Sequence, residues 1–320
     1  MQNVIVPKRK LGNNGPRVPL FALGSWNTWD RMTGDEAVAM VRRAAEVDAA
    51  FFDVAYYNMG PHEERSKTDI LFGEAVRNAG LSRKDYLVCG KLWLWDYPNL
   101  KFREQIEVSL ERARLDRFDM VVVGDYMTAP DMALIVREVN TLIDDGLFDA
   151  WGINNWQLAH THQALSYAEG AKLVPPSFAQ LKYSIVRRSM AEGPGYGALF
   201  ASGELGLQAS DCLEGGVLAG KGVPQRKIGH DAGAIREKIY AIVPELQRIA
   251  AEFDATPVQA ALAFCLANPH TGNLLFGASR LEQLEDNLGA IALLDRAGDR
   301  LRKALAPLWL DRHVSPEGVL

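Results

Sequence analysis

The chain of 320 residues carries a formal net charge of −5, with 48% hydrophobic and 23% charged residues. That is ordinary globular composition, and the acidic balance argues against a nucleic-acid partner or an anionic membrane surface. No apolar run reaches the roughly 18 residues of a spanning helix, and no apolar core follows the first basic residues, so neither a membrane span nor a secretory leader is expected. The three cysteines, Cys89, Cys212 and Cys265, are too scattered for a disulfide framework or a zinc site, and a reducing cytoplasm is the expected location.

Met1–Gly15 precedes the first strand and is read as a hairpin closing a barrel floor. Strand Pro19–Leu23 leads to a helix over Asp35–Val47, with Thr33 as its cap, and then to strands Ala50–Val54 and Tyr86–Gly90. Helix Phe102–Arg114, strand Asp119–Val123, helix Asp131–Asp144 and strands Ala150–Ile153 and Ser177–Gln180 follow. Ala191–Gly203 reads as loop, Leu205–Ala209 as strand and Val217–Gly233 again as loop. Helices Ala234–Phe253 and Pro257–Ala267, strand Asn273–Phe276 and helix Leu281–Ala290, capped by Ser279, complete the chain. Short, nearly all-apolar strands suit a parallel sheet buried on both faces. Eight of them alternating with helical patterns predict an α/β chain, a single-domain (β/α)8 TIM barrel over residues 1–320; a doubly wound open sheet is the rival.

In such a barrel the chemistry sits at the carboxyl ends of the strands. Unusual residues gather there: Gly24, Ser25 and Trp26 after the first strand, Asp53 with Tyr56 and Tyr57 after the second, Lys91 after the third, Asn154 and Asn155 after the fifth, and Gln180 at the sixth. Trp26, Trp29, Trp93, Trp95 and Trp156 all lie just past a strand end, which suggests an apolar or sugar-stacking pocket, or else rim packing between loops. Asp53, Tyr57 and Lys91 could work together. An ammonium beside a phenol favours its ionised form, and a carboxylate keeps the ammonium charged, so the tyrosine could pass a proton to a carbonyl oxygen. The other reading of the trio is a buried ion pair with a packing tyrosine.

Several segments together resemble the aldo/keto reductase family. FFDVAYYNMGPHEE is similar to the family's FDTA-x-x-Y-G-x-G-x-S-E, with one residue deleted so that Tyr57 falls on the family tyrosine and Gly60 and Glu63 on its glycine and glutamate. LVCGK, SLERARLDRFDMVVV, DDGLFDAWGINNW, GGVLAGK and LFGASRLEQLEDN resemble further family segments. The closest branch holds potassium-channel β subunits and bacterial sugar-type reductases. The resemblance implies Asp53, Tyr57 and Lys91 as catalytic residues and Asn155 and Gln180 as holders of a nicotinamide carboxamide, with Asn154 where the family usually has serine. It implies Ser279, Arg280, Gln283 and Asn287 around an adenosine 2′-phosphate, which favours NADP(H) over NAD(H). Arg280 suits a phosphate by its charge and by its place at a helix amino terminus. Gly24, Ser25, Trp26, Asn154, Ser210, Leu213, Gly215, Lys221, Gly277 and Asp286 complete the implied cofactor site, and Trp29, Tyr56, Trp93, Asp125, Tyr126 and Trp156 the candidate substrate contacts.

Three departures stand out against that resemblance. Gly124 occupies the place of the family's catalytic histidine. Asp125, next to it, either opposes alkoxide formation in the site or serves as a loop or capping residue; strand alternation points it away from Gly124. Ser210 stands where the family has an aromatic residue stacking on the nicotinamide, and His62 where it has serine. Cys212 is expected to be structural, and the spacing of His160 and His162 does not suit a metal pair. The implied function is an NADP(H)-dependent oxidoreductase acting between carbonyl and alcohol on a small sugar, polyol or aldehyde, without a metal. The alternatives are an NADP(H)-binding redox-sensing subunit with poor turnover and a cofactor-retaining lyase or epimerase. The oligomeric state stays open.

Overall fold

Short, largely apolar and mostly buried runs set the frame. In a computed structural model describing residues 4–57, 66–126, 128, 130–220, 222 and 231–315, eight parallel strands close on themselves. An amino-terminal hairpin, β1 (Lys8–Lys10) and β2 (Arg17–Pro19), comes first. The barrel strands are β3 (Phe21–Gly24), β4 (Phe51–Asp53), β5 (Leu87–Leu92), β6 (Met120–Val123), β7 (Ala150–Asn154), β8 (Phe178–Lys182), β9 (Gly206–Ser210) and β10 (Thr271–Phe276). β10 pairs with β3 and closes the ring, which excludes the open-sheet rival.

The hairpin does lie at the barrel floor, though its second strand runs past Gly15. Leu11 and Val18 are buried together with Ala22, Phe51, Cys89, Met120, Val122, Ala150 and Phe178, so the interior is packed and not a pore. Gly12 has φ +69°, and a Cβ there would stand 2.5 Å from the Ser177 carbonyl oxygen. Only glycine lets the hairpin approach so closely.

The helices are α1 (Gly34–Glu46), α2 (Thr68–Asn78), α3 (Phe102–Ala113), α4 (Met132–Asp144), α5 (Leu158–Ala171), α6 (Ser189–Glu192), α7 (Pro194–Ser202), α8 (Arg236–Glu252), α9 (Pro257–Leu266) and α10 (Leu281–Leu305). Thr33 caps α1 in a reciprocal box with Glu36, as Thr256 does for α9 with Gln259; each box is worth about 1 kcal/mol. Ser279 is not a cap. Arg280 holds that position, while the Gln283 Oε1 accepts from the Ser279 backbone nitrogen at 2.9 Å.

Four helices escape the sequence pattern, one of them the single turn α6. α7 replaces an expected loop because Tyr196, Leu199 and Phe200 bury one face, overriding the low propensity of its glycines. In α2, Gly73 breaks the apolar stripe because Ala113 of α3 packs against it: a Cβ would lie 2.0 Å from the Ala113 carbonyl oxygen. α5 buries only Thr161, Ala164, Leu165 and Ala168, too few large residues for a clear period. α10 continues fifteen residues beyond its expected end at Ala290, with Leu293, Ala297, Leu301 and Leu305 buried. Among the described residues no single helix is long and apolar enough to cross a membrane.

Candidate active site

A cleft of about 720 Å³ opens at the carboxyl ends of the strands. Asp53, the last residue of β4, is buried at its base and accepts from Gln180 Nε2 at 2.9 Å. Burial pushes its carboxyl up, against the pull of the Lys91 charge and of the Gln180 hydrogen bond. Lys91, on β5, donates to Asn154 Oδ1 at 2.9 Å and stands 4.7 Å from the centre of the Trp93 ring. The direct Asp53–Lys91 pair expected from sequence is therefore not formed. Asn154 takes the ammonium and Gln180 the carboxylate, and the two charges act on one another only through space.

Tyr57 is buried just past β4, and its ring lies 5.6 Å from that of Trp93 and 6.4 Å from that of Trp26. Trp93 is held firmly. Its indole donates to the Tyr56 carbonyl at 2.9 Å, its backbone nitrogen donates to Gln105 Oε1 at 2.7 Å, and Trp95 stacks on it at 3.9 Å. Tyr57, Lys91, Trp26, Trp93 and Trp95 thus form one wall of the cleft.

Two amides face the cleft with opposite polarity. Asn155 sits in the left-handed region, φ 51°, where asparagine is among the better-tolerated residues. Its Oδ1 accepts from the Lys182 backbone nitrogen at 3.0 Å, which leaves its Nδ2 to donate outward. Gln180 is the reverse. Its Nε2 is used inside the barrel, on Asp53 and on Gln208, and its Oε1 is left to accept. Asn154 lines the cleft too, but both ends of its amide serve the protein, Oδ1 on Lys91 and Nδ2 on the Gln180 carbonyl. Gly24, Ser210, Leu213, Gly215, Gly277, Ser279, Arg280, Gln283, Asp286 and Asn287 line the remainder.

Several candidates fall elsewhere. Trp29 is fully buried, edge-on to Phe52 and Phe72, a core residue. Tyr56 turns to the Arg112 guanidinium, 3.9 Å from its ring centre. Tyr126 pairs its hydroxyl with His160 Nδ1 and packs edge-on against Trp156. Trp156 is fully buried and donates to the Gly124 carbonyl at 2.8 Å. Ser25 is buried beside the cleft and contributes its backbone nitrogen to the Asp53 carbonyl. Lys221, Gly60, His62 and Glu63 lie outside the described residues. No group of His, Cys, Asp and Glu among the described residues could hold a metal ion.

A profile of the Aldo/keto reductase family matches residues 21–303. The chain belongs to the aldo/keto reductase family. That is a family of oxidoreductases using nicotinamide cofactors. The chain is also similar to a probable voltage-gated potassium channel subunit beta of Oryza sativa subsp. japonica. The two are 29% identical over 311 residues, which cover 89% of this chain and 91% of that protein. A thermostable aldo-keto reductase solved with the inhibitor epalrestat shares the fold, with TM-score 0.73 at 21% identity, covering 94% of this chain and 99% of that one.

This aldo/keto reductase has no histidine among the described residues of its cleft wall. At Gly124 a Cβ would meet both the Leu92 carbonyl oxygen and Trp93 Cε3 at 3.3 Å, so the tryptophan ring fills the room a side chain there would take. Asp125 lines the cleft, because the chain leaves strand geometry after Val123 and alternation no longer applies.

Sequence reasoning passed over Lys182, which lines the cleft two residues beyond Gln180, on the same face of β8 by strand alternation. That spacing was the available signal. Burial pushes its ammonium down, opposed by Asp211 and Glu214. Cys212 also lines the cleft, and burial pushes its thiol well up, which disfavours the thiolate form.

Proposed function

We propose that the chain is an NADP(H)-dependent oxidoreductase interconverting a carbonyl and an alcohol on a small sugar, polyol or aldehyde. The observation carrying this reading is the pair of cleft-facing amide ends, Asn155 Nδ2 as donor and Gln180 Oε1 as acceptor. A primary carboxamide needs one of each, and the nicotinamide ring ends in one. The bound nicotinamide would exchange a hydride with the substrate carbon. Tyr57 would hold the proton that moves to or from the substrate oxygen. Lys91, kept in place by Asn154, would ease proton transfer at Tyr57 by offering a positive charge to the phenolate. Trp26, Trp93 and Trp95 offer flat apolar faces to the carbon side of a sugar and exclude water from the reacting atoms. Arg280, at the amino terminus of α10, suits a 2′-phosphate and so favours NADP(H). Such a protein would meet its cofactor and substrate as free small molecules in a cytoplasm.

A second reading, a redox-sensing subunit that binds the nucleotide but turns over slowly, draws on two features. Gly124 supplies no acid beside Tyr57, and Ser210 supplies no ring to stack on the nicotinamide. Titration with NADPH and NADH, followed by nicotinamide fluorescence, tests the common part. Aldehydes and sugars are then added while NADPH absorbance is followed. Tight NADPH binding with steady consumption supports the enzyme, and tight binding with none supports the subunit. No binding of either nucleotide to folded protein defeats both.

A further inference from the structure

Beneath Gln180 the barrel holds a file of side-chain amides that the proposed mechanism does not use. Gln208 on β9 and Asn273 on β10 are completely buried. Gln180 Nε2 donates to Gln208 Oε1 at 2.8 Å, and Gln208 Nε2 donates to Asn273 Oδ1 at 2.9 Å. Asn273 Nδ2 donates to the Pro19 carbonyl oxygen at 2.7 Å, at the end of the floor hairpin. At the top, the same Gln180 nitrogen also reaches Asp53 Oδ2 at 2.9 Å.

An isolated side-chain amide can sit either way round, but a backbone carbonyl can only accept. Pro19 therefore forces the nitrogen of Asn273 downward and its oxygen toward Gln208. The oxygen of Asn273 then forces the nitrogen of Gln208 toward itself, and the oxygen of Gln208 does the same to Gln180. A reversed Gln180 would set its oxygen against both Asp53 Oδ2 and Gln208 Oε1. Inside a barrel, unpaired oxygens facing one another are costly.

We propose that Gln208 and Asn273 are positioning residues for the nicotinamide end of the cleft. Anchored on the Pro19 carbonyl, they hold Gln180 as an acceptor toward the ligand and a donor toward Asp53. The inference rests on the nicotinamide reading above and adds two residues that touch neither cofactor nor substrate.

Gln208→Leu cuts the file with an apolar side chain of similar size, and Asn273→Leu cuts it one link lower should the first variant not fold. Binding of NADPH and of 2′-phospho-ADP-ribose, the cofactor fragment without the nicotinamide, is measured by tryptophan quenching. Loss of one oriented hydrogen bond predicts NADPH affinity about tenfold weaker, with the fragment unchanged. In Gln208→Glu at mildly acidic pH, the protonated carboxyl still accepts from Gln180 and donates to Asn273, so NADPH affinity returns to within about twofold of wild type. Equal weakening of NADPH and the fragment means general loosening and overturns the proposal, as does unchanged NADPH affinity in the leucine variants. Wild-type protein that binds neither nucleotide overturns the functional reading, and this inference with it.

Discussion

Lys91 gives its hydrogen bond to Asn154, two strands along on β7, while Asp53 on the neighbouring strand β4 acts on it only through space. The amide, not the carboxylate, fixes where the ammonium points. Asn154→Ala should lower kcat by about ten- to a hundredfold, the worth of one hydrogen bond to a charged group. NADPH affinity should change little, because both ends of the Asn154 amide are already used by the protein. Steady-state kinetics and fluorescence titration separate the two quantities. A variant that loses cofactor affinity and keeps kcat would show that Asn154 serves the nucleotide instead.

Arg280 lines the cleft together with two acidic residues, Glu282 and Asp286. On the NADP(H) reading, a nucleotide bearing an extra phosphate would profit from the arginine. Arg280→Ala should weaken NADPH binding by roughly ten- to a hundredfold and leave NADH nearly unchanged. Equal losses for both nucleotides would place Arg280 away from the 2′ position.

At Gly124, restoring a side chain is a two-residue problem. Gly124→His alone drives its Cβ into the 3.3 Å contacts with Trp93 and the Leu92 carbonyl, and overpacking of this kind costs about 1–3 kcal/mol. The expected result is a lowered Tm with no gain in aldehyde reduction. Combined with Trp93→Ala, the ring's space opens and turnover of simple aldehydes should rise at least about tenfold over Trp93→Ala alone, as a positioned acid provides. A gain from the single substitution would show that the tryptophan ring gives way freely.

Glu214, in the loop after β9, is buried and bound on both oxygens by Arg187, which reaches Asp231 as well. Burial and the neighbouring Asp211 push its carboxyl up to about 7, against the pull of Arg187 and Ser184. The folded chain thus keeps a proton that the unfolded chain loses near 4.5. The stabilisation this gives is full below about pH 4.5 and is lost as the pH rises toward 7. Glu214→Gln should therefore gain stability relative to wild type over that window, since Asp231 remains to pair Arg187. Tm measured for both proteins across the window checks it. A variant that loses ground as pH rises would mean the ion pair outweighs the burial.

The barrel was legible because parallel strands buried on both faces leave short apolar runs, and closure then follows from their number. The helices that were missed owe their burial to partners far away in sequence, as Gly73 does to Ala113. In the site, the residue types at the strand ends were legible, but not which neighbour each would choose. Nothing in the order of residues says that Trp29 and Trp156 go to the core while Trp93 and Trp95 face the cleft, or that Asn154 claims Lys91. Those choices depend on how loops leave the strands. Lys182 is the exception, since its distance of two from Gln180 on one strand already put both on the same face.

Asn155 answers two demands at one position. Its backbone occupies a left-handed turn that strains most residues, and its side chain must accept from Lys182 while donating outward. Aspartate tolerates the turn but has no donor. Glutamine has the donor but a longer reach and a poorer fit to the turn, and glycine keeps only the turn. Drift at this position is consequently confined: aspartate keeps both the turn and the acceptor for Lys182 and gives up only the outward donor. A lineage that gave up the nucleotide would be expected to record the loss here early.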